Sequence, residues 1–138
     1  MKNHNLEFKS EIFYNESPID WNENLLKSSN STIFQTSNWA DIYKNTFNSK
    51  PIFIIIKNKK NEVVGQLACL IHNDYYWNKK NLLFSVLKTK FGLGSILKWK
   101  YGPIIHDKKN SDKITNEILN AIDDICPKEK IILITGSS

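Results

Sequence analysis

The chain of 138 residues has no arginine, two cysteines, five glycines and no long apolar run, and each shortage closes a class of function. Two cysteines, Cys69 and Cys126, cannot form the framework of a disulfide scaffold, and both are expected as free, buried thiols. Cys69 and His72 stand three apart, which on a strand sends them to opposite faces; with no second close pair, no structural zinc site is expected. The glycines include GLG at 92–94, which lacks both G-x-G-x-x-G and a Walker lysine and therefore reads as a turn. The terminal GSS is not a G-x-S-x-G elbow, so a Ser-His-Asp set is not supported. No apolar run approaches the roughly 20 residues that cross a bilayer. The opening MKNHNLEFKSE lacks the apolar core of a signal peptide, and a cytoplasmic location is expected.

All nineteen basic residues are lysine, beside abundant asparagine and isoleucine. That composition fits AT-rich coding, so the lysine count carries less than its distribution. Residues 1–30 hold three lysines and five acids, whereas Tyr75 to His106 holds six lysines and no acid. Lys79, Lys80, Lys88, Lys90, Lys98 and Lys100, interleaved with Trp77, Phe84, Phe91, Trp99 and Tyr101, form a candidate polyanion-binding segment. A solvated lysine face on a hairpin is the plain alternative.

Periodicity outlines the elements. Leu6, Phe8, Ile12 and Tyr14 share one parity and predict a strand. Asp20, Trp21 and Glu23 form a D-x-x-E helix start, with Trp21 and Leu25 one turn apart. Thr36 or Ser37 can cap a second helix bearing Trp39, Ile42, Tyr43, Thr46 and Phe47, which makes Trp39 a core residue first. PIFIIIK and VVGQLACLIH, joined by NKKNE, predict an antiparallel hairpin whose first strand is central and covered on both faces. Asn73 to Asn81 reads as a loop and Leu82 to Leu87 as a short apolar piece. ILKWKYGPII predicts a strand with Trp99 and Tyr101 on one face and Lys98 and Lys100 on the other, interrupted at Gly102-Pro103. Ile114, Ile118, Ala121, Ile122 and Ile125 form one helical stripe, capped by Ser111 or Asp112 and stopped by Pro127; KIILIT then forms a buried strand. The order β, α, α, β, β, β, α, β predicts an α+β fold, a mostly antiparallel sheet flanked by helices in one domain over residues 1–138.

Two motifs in this order, Phe34-Gln35-Thr36-Ser37-Asn38-Trp39 as F-Q-[ST]-x-x-W and Tyr101-Gly102-Pro103 as Y/R-G-P, give the chain a family likeness. It resembles the N-terminal portion of Fem-type aminoacyltransferases, which build peptidoglycan bridges, and related GNAT-like acyl-CoA N-acyltransferases. The resemblance covers about four-fifths of the chain. It implies a GNAT-like half-domain that transfers an acyl or aminoacyl group to an amine, from acyl-CoA or aminoacyl-tRNA. It also implies an anionic substrate: tRNA, or a nucleotide-linked or lipid-linked precursor. Gln35, Trp39, Lys44 and Tyr101 become candidate substrate-binding residues, Lys44 standing about one turn after the tryptophan. The glycine-bearing loop that would cradle the CoA pyrophosphate is replaced by IIHDKKNSDK. Family members run longer, so a missing C-terminal half-domain is expected to complete the site.

Transfer to an amine needs a base and fixed oxyanion donors. His72, His106, Asp107 and Tyr101 are available, but no pair has diagnostic spacing, so no catalytic residue is assigned. The other reading is a small non-catalytic module that binds RNA or an anionic membrane surface through its lysines.

Overall fold

A computed structural model describes residues 7–73 and 94–137. Lys79, Lys80, Lys88, Lys90, the loop expected at 73–81 and the apolar piece at 82–87 lie outside the described residues, apart from the backbone of Asn73.

The strands are β1 (Phe8–Tyr14), β2 (Lys50–Asn58), β3 (Val63–Asn73), β4 (Ser95–Trp99), β5 (Ile104–Ile105) and β6 (Ile131–Gly136). The helices are α1 (Trp21–Leu26), α2 (Ser37–Phe47) and α3 (Ser111–Lys128), with short 3₁₀ turns at Ile33–Gln35 and Lys108–Asn110. One mixed sheet runs β1-β2-β3-β4-β6, and β5 pairs with β3. All its ladders are antiparallel except β4 with β6, which is parallel and is bridged by α3. The class is α+β, as the element order predicts.

β2 carries the layering. Its PIFIII run is wholly buried because alternate residues serve two cores. Ile52, Ile54 and Ile56 face α3, while Phe53 and Ile55 face α1 and α2. The α3 stripe of Ile114, Ile118, Ala121, Ile122 and Ile125 is buried throughout. Each fully buried isoleucine there contributes roughly 2 kcal/mol by transfer from water. Opposite, Trp21 and Leu25 of α1 and Ala40 of α2 cover the second face. A bulge between Ile56 and Lys57 shifts the register by one, so Val64 joins the α3 face although its parity matches Ala68.

Four local expectations are corrected. Asp20 stands at the α1 N-cap but makes no side-chain cap bond, so the D-x-x-E box does not form. Pro127 lies inside α3, which runs on to Lys128. The amide that proline lacks would have paired with an exposed carbonyl in the last turn, which water can satisfy. β6 is not buried: Ile132, Leu133 and Ile134 are exposed, and among the described residues β6 is the end strand of the sheet. Tyr101 leaves the alternation of β4: its backbone is left-handed at φ 49°, and its ring meets Phe34 while Trp99 packs against the α3-side core.

Candidate functional site

A groove opens between α2 and the β3–β4 ladder. The even residues of β3, Ala68, Leu70 and His72, form its floor. Phe34, Trp39 and Tyr43 make one wall, and Lys98, Trp99 and Lys100 the other. The rings stand in a row: Trp39 lies 4.9 Å from Phe34 and 5.3 Å from Tyr43, and Phe47 extends the row at 5.1 Å from Tyr43. Tyr101 stacks on Phe34 at 5.1 Å, and the Lys100 ammonium sits 5.2 Å from the centre of that same ring.

Trp39 is therefore not the core anchor its spacing suggests. Ala40 is the residue of α2 that is buried, and Trp39 is half-buried as a groove wall. The core tryptophan is Trp21, which is 1% exposed, meets Phe53 edge-on at 4.9 Å and donates its Nε1 hydrogen to the Gln35 carbonyl at 2.8 Å.

Gln35 lies behind the groove. Its side chain is fully buried and ties its 3₁₀ turn to β3 and to the segment after β4 through backbone groups. Nε2 donates to the carbonyls of Lys100 (2.7 Å) and Ala68 (3.3 Å), and Oε1 accepts from the Ala68 amide (2.7 Å). Gly102 makes room for this carboxamide, since a Cβ there would stand 3.1 Å from it and 2.8 Å from Leu67. Gln35 thus fixes both the floor and the lysine wall without presenting a polar atom to a ligand. Lys44 also lies away from the groove, where its Nζ donates to the Asn15 carbonyl at 3.1 Å. Of the four candidate substrate-binding residues, Trp39 lines the groove and Tyr101 stands at its edge.

α2 is held in register at both ends. The Thr36 hydroxyl accepts from the Trp39 amide at 3.2 Å, and Asn22 of α1 accepts from the Ser37 amide at 3.0 Å. At the C-terminus, Asn48 adopts the left-handed conformation and leads into Ser49, which is 4% exposed. Ser49 Oγ lies 2.9 Å from His72 Nδ1, and the Tyr43 ring meets the imidazole edge-on at 5.8 Å.

The other acid–base candidates stand elsewhere. His106 and Asp107 border a separate polar recess with Asp20, Lys27 and Glu62. Gln66 donates to the Trp21 carbonyl at 3.2 Å and turns its Oε1 to His106 Nε2 at 3.0 Å, which places the imidazole proton on Nε2. Burial first, and Lys27 second, lower the His106 pKa below its ordinary value. No two of His72, His106 and Tyr101 share a hydrogen bond among the described residues.

At the start of α3, Asp107 accepts from Asn110 Nδ2 at 2.7 Å and from the Lys109 amide at 3.1 Å, contacts that hold its carboxyl below the usual carboxylate range. The loop turns its own donors onto the Asp107 carboxylate and has no glycine for a close backbone approach. These residues do not fit the acyl-CoA pyrophosphate. Cys69 points into the α3-side core and His72 into the groove, on opposite faces of β3. No helix among the described residues is long and apolar enough to cross a membrane.

Sequence reasoning missed Ser49, His72 as a groove residue, and Asn22 as a cap supplied by another helix. The parity of Ala68, Leu70 and His72 could have shown the floor. Comparison with protein-family models, curated proteins and solved structures returns no match for this chain.

Proposed function

We propose that this chain is a GNAT-like domain of the Fem type, which transfers an aminoacyl or other acyl group to an amine, and that the α2–β3–β4 groove seats one of its substrates. One observation carries the reading. The two motifs behind the resemblance, distant in sequence, meet at the groove: Phe34 stacks on Tyr101, and the Gln35 carboxamide bonds to Lys100 and packs over Gly102. The parallel β4–β6 pair bridged by α3 agrees with the expected element order. Because Asp107 occupies the loop where a CoA pyrophosphate would sit, the aminoacyl form is favoured, with charged tRNA as donor. A cytoplasmic location suits such a donor.

In that reaction the amine nitrogen bonds to the acyl carbonyl carbon, the ester bond to the tRNA ribose breaks, and the proton lost by the amine passes through a base to the departing ribose oxygen, which leaves as a hydroxyl. The groove's part is to hold one reactant in place, which can lower the barrier by several kcal/mol. Transfer of labelled amino acid from charged tRNA to a panel of amines tests this. The expected result is transfer above background by the wild type and at least about tenfold less by Trp39→Ala, an activation difference of about 1.4 kcal/mol. A folded wild type that transfers to no amine, from charged tRNA or from acyl-CoA, contradicts the proposal.

A second reading rests on Lys98 and Lys100, both exposed on one wall of the groove. It makes the chain a non-catalytic module for RNA or an anionic membrane. Such binding would weaken steeply with salt, since each neutralised phosphate releases counterions.

A further inference from the structure

The polar recess beside His106 lies at the start of β3, at the other end of that strand from His72, and measures about 710 Å³. Behind it, four hydrogen bonds run from His106 to the wall of the groove. His106 Nε2 donates to Gln66 Oε1 (3.0 Å), Gln66 Nε2 to the Trp21 carbonyl (3.2 Å), Trp21 Nε1 to the Gln35 carbonyl (2.8 Å) and Gln35 Nε2 to the Lys100 carbonyl (2.7 Å). Gln66, Trp21 and Gln35 are each at most 1% exposed, so none of them can exchange its partner for water without local opening.

The far end of this chain sets the tautomer at the near end. A carbonyl only accepts, so Gln66 turns its amide to Trp21 and its oxygen to His106, and the neutral imidazole keeps Nδ1 as a lone pair. That nitrogen is buried and has no hydrogen-bond partner among the described residues. A second proton would put a charge and an N–H donor where nothing receives them. The charged groups around the recess are Asp20 and Lys27 from the two ends of α1, Lys57 and Glu62 beside the β2–β3 turn, and Asp107 next in the chain. Burial and then Lys27 lower the His106 pKa, so the fold prefers the neutral ring. The stability this contributes is complete above the ordinary histidine range and is lost as pH falls through the lower value set by the fold.

We propose that His106 is an acid-sensitive latch, which as a neutral ring fixes Gln66 and through it α1 and the groove wall, and which on protonation swings into the recess and loosens them. The imidazolium gains water there, and Gln66 Oε1 loses its donor. The buried carboxamide then needs a new partner, which weakens its bond to the Trp21 carbonyl and the hold of Trp21 on Gln35. The His106 amide stays on the Val64 carbonyl at 2.9 Å, so the release is a side-chain movement and β5 remains paired.

An NMR titration of the whole chain from about pH 8 to about pH 5 tests the latch. At the upper end the imidazole nitrogen shifts should show the Nε2–H tautomer. His106 should then titrate below free histidine, and the Gln66 side-chain amide and the Trp21 indole should shift with the same midpoint. Hydrogen exchange at the Trp21 indole and the Ala68 amide should accelerate at least about fivefold across that midpoint, after correction for the intrinsic effect of pH. His72→Gln should keep this response, which separates it from titration in the groove, and His106→Gln should abolish it. Where His106→Gln does not fold, the wild-type readings decide alone. An Nδ1–H tautomer, a midpoint at or above that of free histidine, or Trp21 and Ala68 signals indifferent to the His106 midpoint overturns the proposal. None of these readings involves acyl transfer, so the latch and the transferase reading stand or fall separately.

Discussion

Replacing Trp21 with alanine is expected to destabilise the fold by about 4 kcal/mol, whereas the same change at Trp39 is expected to cost about 1 kcal/mol. Both residues start helices and both look like anchors. Trp21, however, is buried in the α1–α2 core, packs edge-on against Phe53 and uses its indole N–H on the Gln35 carbonyl. Its loss removes a large apolar volume and leaves that carbonyl without its indole donor. Trp39 stands half-buried in a row of rings at the groove, so its removal takes stacking from Phe34 and Tyr43 but opens no core cavity. Urea unfolding measures both, provided the m-value is unchanged. Equal losses at the two sites would contradict the assignment of Trp21 to the core and Trp39 to the groove.

Gln35→Met, nearly equal in volume, is expected to cost about 3 kcal/mol, because it strips the partners from the Ala68 amide and the Lys100 carbonyl at once. Gln35→Glu should be at least as damaging, since a carboxylate cannot donate to the Lys100 carbonyl and would be buried there as an unpaired charge. Hydrogen exchange at the Ala68 amide reads the same contact locally and should accelerate in Gln35→Met beyond what the global loss explains. If Gln35→Met were as stable as the wild type, the bridge between the two motif segments would carry no weight. Ligand affinity of the groove is also expected to drop in that variant, because Lys100 is held by the Gln35 bond to its carbonyl.

The elements whose environment is local were legible in the sequence. PIFIII announces a strand covered on both faces, and the isoleucine spacing of α3 marks its buried stripe, because period and burial coincide there. α2 shows where that coincidence fails. Helical spacing aligns Trp39, Tyr43 and Phe47 but does not say which face meets the sheet, and α2 buries the small Ala40 while its rings form a groove wall. In β6, IILIT has the composition of a core strand, yet burial depends on what stands beside it, and β6 lies at the end of the sheet. Tyr101 was misplaced by a single left-handed residue, and the Ser49–His72 pair was hidden because it depends on hairpin register. Once Lys50 is known to face Ile71, the next pair outward is Ser49 and His72. The F-Q-[ST]-x-x-W motif marks Gln35 as a candidate ligand contact, and the structure gives its polar atoms to the backbone on either side of the groove.

The central claim, that the α2–β3–β4 groove is the substrate seat of an aminoacyl-transferring domain, is tested most directly by an NMR titration. The ligand is 3′-(aminoacylamino)adenosine, a stable mimic of the charged end of tRNA. Saturable shifts are predicted at the Trp39 indole and at the amides of Ala68, Leu70 and Lys100, and they should disappear in Trp39→Ala. Shifts confined to the recess around His106 and Asp107, or none at millimolar ligand, would contradict the account.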